Sequence, residues 1–172
     1  MSTSGELPLP LSENEVDTSV PFAPEEELYR RVLPSEELAD GEIDPTRLSS
    51  VSFKSDVQSS PSVLRSRYAS PQDVLHKDCA NQKDVSGQLI YFIAVNSLPR
   101  TIKSDDGREF EIFPLHLPFP TCGAHSVISC CRNGDPGRVY ERPSQSARND
   151  LRVKLAARMR KIPSASAGSA HH

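Results

Sequence analysis

Residues 109–131 read EFEIFPLHLPFPTCGAHSVISCC, and the interpretation of this stretch decides the fold. Glu109–Phe113 alternates polar and apolar side chains, the pattern of a half-buried strand, with Phe110 and Ile112 on one face. Ala124–Cys130 resumes that character. Between them Pro114, Pro118 and Pro120 exclude a regular central strand and predict a stiff loop. Two of the chain's five histidines, His116 and His125, bracket that loop, and three of its four cysteines, Cys122, Cys130 and Cys131, lie beside or beyond it.

Working outward, Gln88–Val95 (QLIYFIAV) is a β-branched and aromatic run that reads as a central strand buried on both faces. Asp105, Asp106 and Gly107 supply a turn before Glu109. Asn133–Gly137 supplies another, after which Arg138–Glu141 can return as a hairpin. Ser70, Pro71 and Asp73 form the signature of a short helix with Val74, Leu75 and Cys79 as its buried contacts. A longer helix is expected from Ser146 or Asn149 to Ile162. Its apolar stripe is Leu151, Leu155, Met159 and Ile162, and its end is set by Pro163. Pro24–Val32 reads as a helix started by Pro24 and Glu25–Glu27, with an early strand over Leu28–Leu33 as the alternative. Arg47–Lys54 is extended, packing Leu48, Val51 and Phe53. The fold class is α+β: a small mixed or antiparallel sheet with a short internal helix and a packed C-terminal helix.

The chain has 172 residues, 15 Pro and no Trp, which suits one domain with long loops. Residues 25–162 form that domain. Residues 1–24 are expected to be a disordered acidic arm or to be draped over it, and residues 163–172 to be a disordered tail. The net charge of −3 conceals a gradient: −9 over residues 1–50, and +5 over residues 144–172. An acidic arm and a basic terminal surface suit a protein partner, a nucleic acid or simple solubility. With neither a basic, apolar leader nor a membrane-length apolar run, a cytoplasmic location without membrane insertion is expected, and with it free buried thiols in place of disulfides.

Candidate chemistry centres on His125 and His116, which can act together in phosphoryl transfer or phosphodiester cleavage if both rings face one cleft. His76 is a third candidate. A zinc site built from Cys122, His125, Cys130 and Cys131 is disfavoured, because adjacent Cys130 and Cys131 point to opposite sides of a strand. No metal and no cofactor is expected. A Cys-His nucleophilic site would pair Cys122 or Cys130 with His125, with Gly123 aiming an amide at an oxyanion. Arg30 and Arg31 can bind a phosphate or carboxylate, or pair with neighbouring glutamates. Arg152, Lys154 and Arg158 on the last helix can meet nucleic-acid phosphates or form a solvated face.

At Tyr29-Arg30-Arg31-Val32, Ser52-Phe53-Lys54 and Ala124-His125-Ser126-Val127-Ile128 the chain resembles a group of small uncharacterised bacterial proteins, over residues 27–162. These begin with an R-R-V-like segment and place an Ala-His pair before a late strand and terminal helix. In that group an Asn-Pro pair usually precedes the histidine, where this chain has Cys122-Gly123 ahead of Ala124-His125. The resemblance implies a single domain, directs attention to Arg30, Arg31, Phe53 and His125, and suggests an accessory component of a bacterial multi-component system. The leading expectation is therefore a non-enzymatic protein-interaction module, with a small histidine-dependent hydrolase or nuclease and phosphate or nucleic-acid binding as alternatives.

Overall fold

The computed structural model describes residues 9–48, 53–80 and 88–163. Val51, the polar stretch after Ala80, the first eight residues and the tail from Ser164 lie outside these. The fold is α+β, as expected. Its sheet has seven strands, β1 (Glu27–Val32), β2 (Ser62–Arg65), β3 (Leu89–Ala94), β4 (Thr101–Lys103), β5 (Glu109–His116), β6 (His125–Arg132) and β7 (Arg160–Lys161). They run in the order β4-β5-β6-β2-β1-β3-β7, every neighbouring pair antiparallel.

The β5–β6 hairpin follows from the sequence pattern, with one correction. β5 does not stop before Pro114 but runs through it to His116. Register explains why. Glu109 O accepts from Asn133 and Leu117 N–H donates to His125 O, so odd-numbered residues of β5 bond to β6. Pro114 therefore turns its missing N–H toward the β4 side. The β4 ladder ends at Glu111, and Ile112 N–H reaches Arg100 O just past it, so the proline displaces no ladder bond. The β4–β5 turn carries Gly107 at φ 87°, a conformation that favours glycine.

Two further expectations change. The Pro24–Val32 helix is instead β1, the alternative reading. Leu28, Tyr29, Arg30 and Val32 are all buried because the sheet is covered on both faces. β3 is less central than its composition suggests. It pairs with β1 along its length but meets β7 only at Tyr91 and Phe92. The strand buried throughout, except at its last residue, is β6.

On one face of the sheet lies the main core, in which Leu28, Val63, Ile93, Phe110, Ile112, Ile128 and Cys130 meet the helix α2 (Gln145–Arg158) through Ala147, Leu151 and Leu155. Ser144 caps α2, its hydroxyl accepting from Ala147 N–H at 3.3 Å. The helix ends earlier than the apolar stripe implies. Met159 is its C-cap, and Arg160–Lys161 turns into β7, which carries Ile162 to the other face. There a 3-10 turn over Pro71–Leu75, boxed by Ser70 and Asp73, leads into the short helix α1 (Lys77–Ala80). Val74 and Cys79 pack on Tyr29, Leu64 and Ala124. The expectation of free thiols fails here: Cys79 and Cys122 form a disulfide, while Cys130 and Cys131 are free and buried. The bridge closes a separation of 43 residues. Such a loop removes roughly 3–5 kcal/mol of unfolded-chain freedom on the entropic account.

Residues 9–24 are draped over the domain, the second of the two expectations for this segment. Gly123 N–H donates to Leu11 O at 2.6 Å, and Glu13 N–H donates to Pro120 O at 3.3 Å. The far end of the strap is held by Arg65. Its Nε and one terminal nitrogen donate to the Glu26 carboxylate at 2.7 and 2.9 Å, and further bonds reach Val20 O and Pro21 O. The Phe22 ring lies 4.0 Å from the guanidinium carbon.

Two substitutions separate these contacts. Arg65→Met strands the buried Glu26 carboxylate and should cost about 3–5 kcal/mol in urea denaturation. A loss below 1 kcal/mol would show that the pair is not what holds the strap. In Gly123→Ala, the new Cβ would lie 2.5 Å from the Ser12 carbonyl oxygen, and a backbone atom cannot swing aside. Cleavage after Glu13 or Glu15 by a glutamate-specific protease should then accelerate while the circular dichroism of the sheet is kept. Unchanged cleavage would refute the close approach.

Candidate functional site

The sheet opens between β1 and β2. Their ladder holds two pairs, Leu28↔Arg65 and Tyr29↔Leu64, whereas β1 stays paired with β3 through Val32↔Leu89. Where the ladder stops, a side chain takes over: Arg30 donates from a terminal nitrogen to Ser62 O at 2.9 Å. On the other side Ile128 N–H donates to Pro61 O. The opening is a cleft of about 420 Å³ lined by Tyr29, Arg30, Arg31, Glu36, Lys54, Ser62, Leu64, Phe119 and His125, among others.

His125 sits at this cleft. Its register partner is Leu64, itself opposite Tyr29, so the three stand in a row on the face covered by α1 and the disulfide. Nδ1 lies 2.7 Å from Leu117 O. A carbonyl only accepts, so Nδ1 carries the proton and Nε2 offers its lone pair. Ser62 Oγ is 3.1 Å from Nε2, and its hydroxyl is therefore the donor. The Phe119 ring stacks on the imidazole at 3.7 Å between centroids. His125 is 2% exposed, and burial pushes its pKa below the ordinary imidazole value. It is neutral at neutral pH.

His116 is not in the cleft. It pairs with Ser126, so strand alternation places its ring on the opposite face of the hairpin from His125. There it stacks on Tyr68, accepts at Nδ1 from Arg65 at 3.3 Å, and donates from Nε2 to Gly123 O at 2.7 Å. Burial and, to a smaller degree, the Arg65 charge lower its pKa, against the Gly123 bond. The two rings thus carry opposite tautomers and share no cleft, which removes the paired-histidine mechanism. His76 lies against Asp78 at 3.5 Å.

Arg30 is buried, and burial depresses its pKa to about 10 against the favourable charge of Glu36, which leaves it cationic at neutral pH. Arg31 is half-buried beside it. The basic side chains of α2 are engaged within the domain. Arg152 Nε donates to Leu48 O, Lys154 pairs with Asp150 at 2.9 Å, and Arg158 reaches Ser97 O. The Cys-His alternative fails at both thiols, since Cys122 is in the disulfide and Cys130 faces the main core. Gly123 gives its amide to Leu11 and not to an oxyanion. Among the described residues no group of three or more His, Cys, Asp or Glu is placed to hold a metal ion, and no helix is long and apolar enough to cross a membrane.

Sequence reasoning overlooked Ser62 and Arg65. Ser62 lies in a serine-rich stretch where nothing marks it out. The apolar Val63-Leu64 pair was the available sign of the strand that Ser62 opens, with its hydroxyl on the Leu64 face. No protein-family model, curated protein or solved structure matches the chain.

Both histidines resist protonation in the fold, and this fixes a pH dependence. Between the unfolded imidazole value of 6.5 and the lower folded values the unfolded chain binds more protons, so stability is complete above pH 6.5 and declines as pH falls below it. Melting temperatures taken from pH 7.5 to 5 should fall. A flat profile would mean that neither ring is held neutral.

Proposed function

We propose that the chain binds a small molecule carrying a carboxylate or phosphate group in the cleft at the open end of β2. The observation that carries this reading is that Arg30, Arg31 and Lys54 line one concave site in which, among the described residues, Glu36 is the one carboxylate. A guanidinium presents a planar fork that can donate two parallel hydrogen bonds to a carboxylate or phosphate. Part of the remaining wall is apolar, with Tyr29, Leu64, Val74 and Phe119 beside the polar Gln58, Ser59 and Ser62, which suits a ligand whose anionic group is joined to an apolar or aromatic body. Three of the four residues singled out by the resemblance to small bacterial proteins, Arg30, Arg31 and His125, line this cleft. The fourth, Phe53, is buried in the core beside Lys54. This reading moves the anion-binding alternative from α2 to the cleft lined by Arg30, Arg31 and Lys54, in which Arg30 already holds the Ser62 carbonyl.

Calorimetric titration with inorganic phosphate and, separately, with benzoate tests the reading at low ionic strength. Charged hydrogen bonds contribute roughly 1.5–3 kcal/mol, so Arg31→Ala should weaken binding about tenfold or more. Lys54→Ala should weaken it less. Arg152→Ala on α2 should leave it unchanged. No heat with either anion, or equal affinity in Arg31→Ala, would overturn the proposal.

A further inference from the structure

Ser62 and His125 are more than lining. Ser62 opens β2, and two constraints fix its backbone: its carbonyl accepts from Arg30 at 2.9 Å, and it stands in register with Val127. Its side chain is exposed to the cleft, whereas the imidazole behind it is buried and clamped by Phe119. Leu117 O holds the proton on Nδ1 at 2.7 Å, which leaves Nε2 to accept from Ser62 Oγ at 3.1 Å. A hydroxyl facing a ligand cleft, a neutral imidazole within hydrogen-bond reach, and a third group that fixes the imidazole tautomer together make an activated nucleophile. Here a backbone carbonyl takes the orienting place that a carboxylate fills in a triad. It sets the tautomer without a full negative charge to stabilise the imidazolium.

We propose that Ser62 is a nucleophile and His125 its general base, acting on an ester whose acyl part carries the anionic group held by Arg31 and Lys54. This rests on the cleft being the ligand site proposed above. Ser62 Oγ bonds to the ester carbonyl carbon as its proton passes to His125 Nε2. The ester C–O bond then breaks, and the leaving alkoxide takes that proton from Nε2, giving an alcohol and an acylated Ser62. Water attacks the same carbonyl carbon, with Nε2 accepting its proton and returning it to Ser62 Oγ as the acyl bond breaks. A carboxylic acid is released and the serine is restored. The positive charges of Arg30 and Arg31 line the cleft in which the carbonyl oxygen becomes negative.

The test is covalent labelling of the full chain by a fluorophosphonate, in which Oγ displaces fluoride from phosphorus, read by intact mass and peptide mapping. One adduct on Ser62 is expected. Ser62→Ala should remove it while the circular dichroism of the sheet is kept. His125→Gln, whose side chain can still donate to Leu117 O, should slow labelling at least tenfold. In the wild type the rate should hold at pH 6.5 and fall only at the lower pH where the buried imidazole takes a proton, with Tyr29, Arg30, Arg31, Lys54 and Glu36 lining the cleft and His116 across the hairpin as the other charged or titratable groups near the ring. Phosphate binding without any Ser62 adduct would overturn the nucleophile and leave the binding reading standing. Loss of both would overturn both. Labelling at an unchanged rate in a folded His125→Gln protein would overturn the role of the base.

Discussion

The structure depends on a buried arginine. Arg65 has a fully buried side chain, and its Glu26 partner is 6% exposed. Taking such a pair out of water costs several kcal/mol per ion, a cost offset only when every polar atom finds a partner. Arg65 meets that condition. Its five N–H groups face two Glu26 oxygens, Val20 O, Pro21 O and His116 Nδ1. The last contact propagates. Because Nδ1 of His116 accepts from a cation, Nε2 must carry the proton, and it donates to Gly123 O. Gly123 gives its own N–H to the strap at Leu11. The loop that delivers His125 to the cleft is thus held from both sides, one side tracing back to Arg65 directly and the other through the strap that Arg65 anchors.

What the sequence discloses and what it conceals divide along sequence separation. The β5–β6 strands, the Ser70–Asp73 cap and the Leu151–Leu155 stripe are periodic or local signals, and each appears in the fold close to its expected place. β1 was obscured because Pro24 and Glu25–Glu27 are helix signals that act locally. Tyr29 pairs with Leu64 and Phe92, partners that no window around residue 29 contains. The same reason hides Arg65 from Glu26, 39 residues away, and Cys79 from Cys122, 43 residues away. Reasoning from compartment to free thiols erred at those cysteines because the fold brings their Cα atoms to 5.2 Å.

His116 and His125 show how a pattern can be seen and misread. Both flank the proline loop, and both are buried enough to be held neutral. A one-residue offset in register separates them: His116 lies opposite Ser126, so its neighbour in the ladder, His125, projects from the other face. One histidine is scaffold, locked between Arg65 and Gly123. The other borders the cleft and meets an exposed hydroxyl. Counting histidines could not distinguish these roles; the register does.

The position of the cleft follows from strand length and not from a motif. β2 has four residues and lies between β1 with six and β6 with eight. A short strand inside a sheet leaves its longer neighbours with backbone groups that must be satisfied some other way. Here an arginine side chain reaches the Ser62 carbonyl, and a loop carbonyl, Pro61 O, receives the Ile128 amide. Polar and cationic groups therefore collect inside the sheet, where a continuous ladder would have left only paired backbone and apolar side chains. The first residue of the short strand, Ser62, then stands at the boundary between ladder and opening. That boundary allows its hydroxyl to face a ligand while its main chain stays fixed.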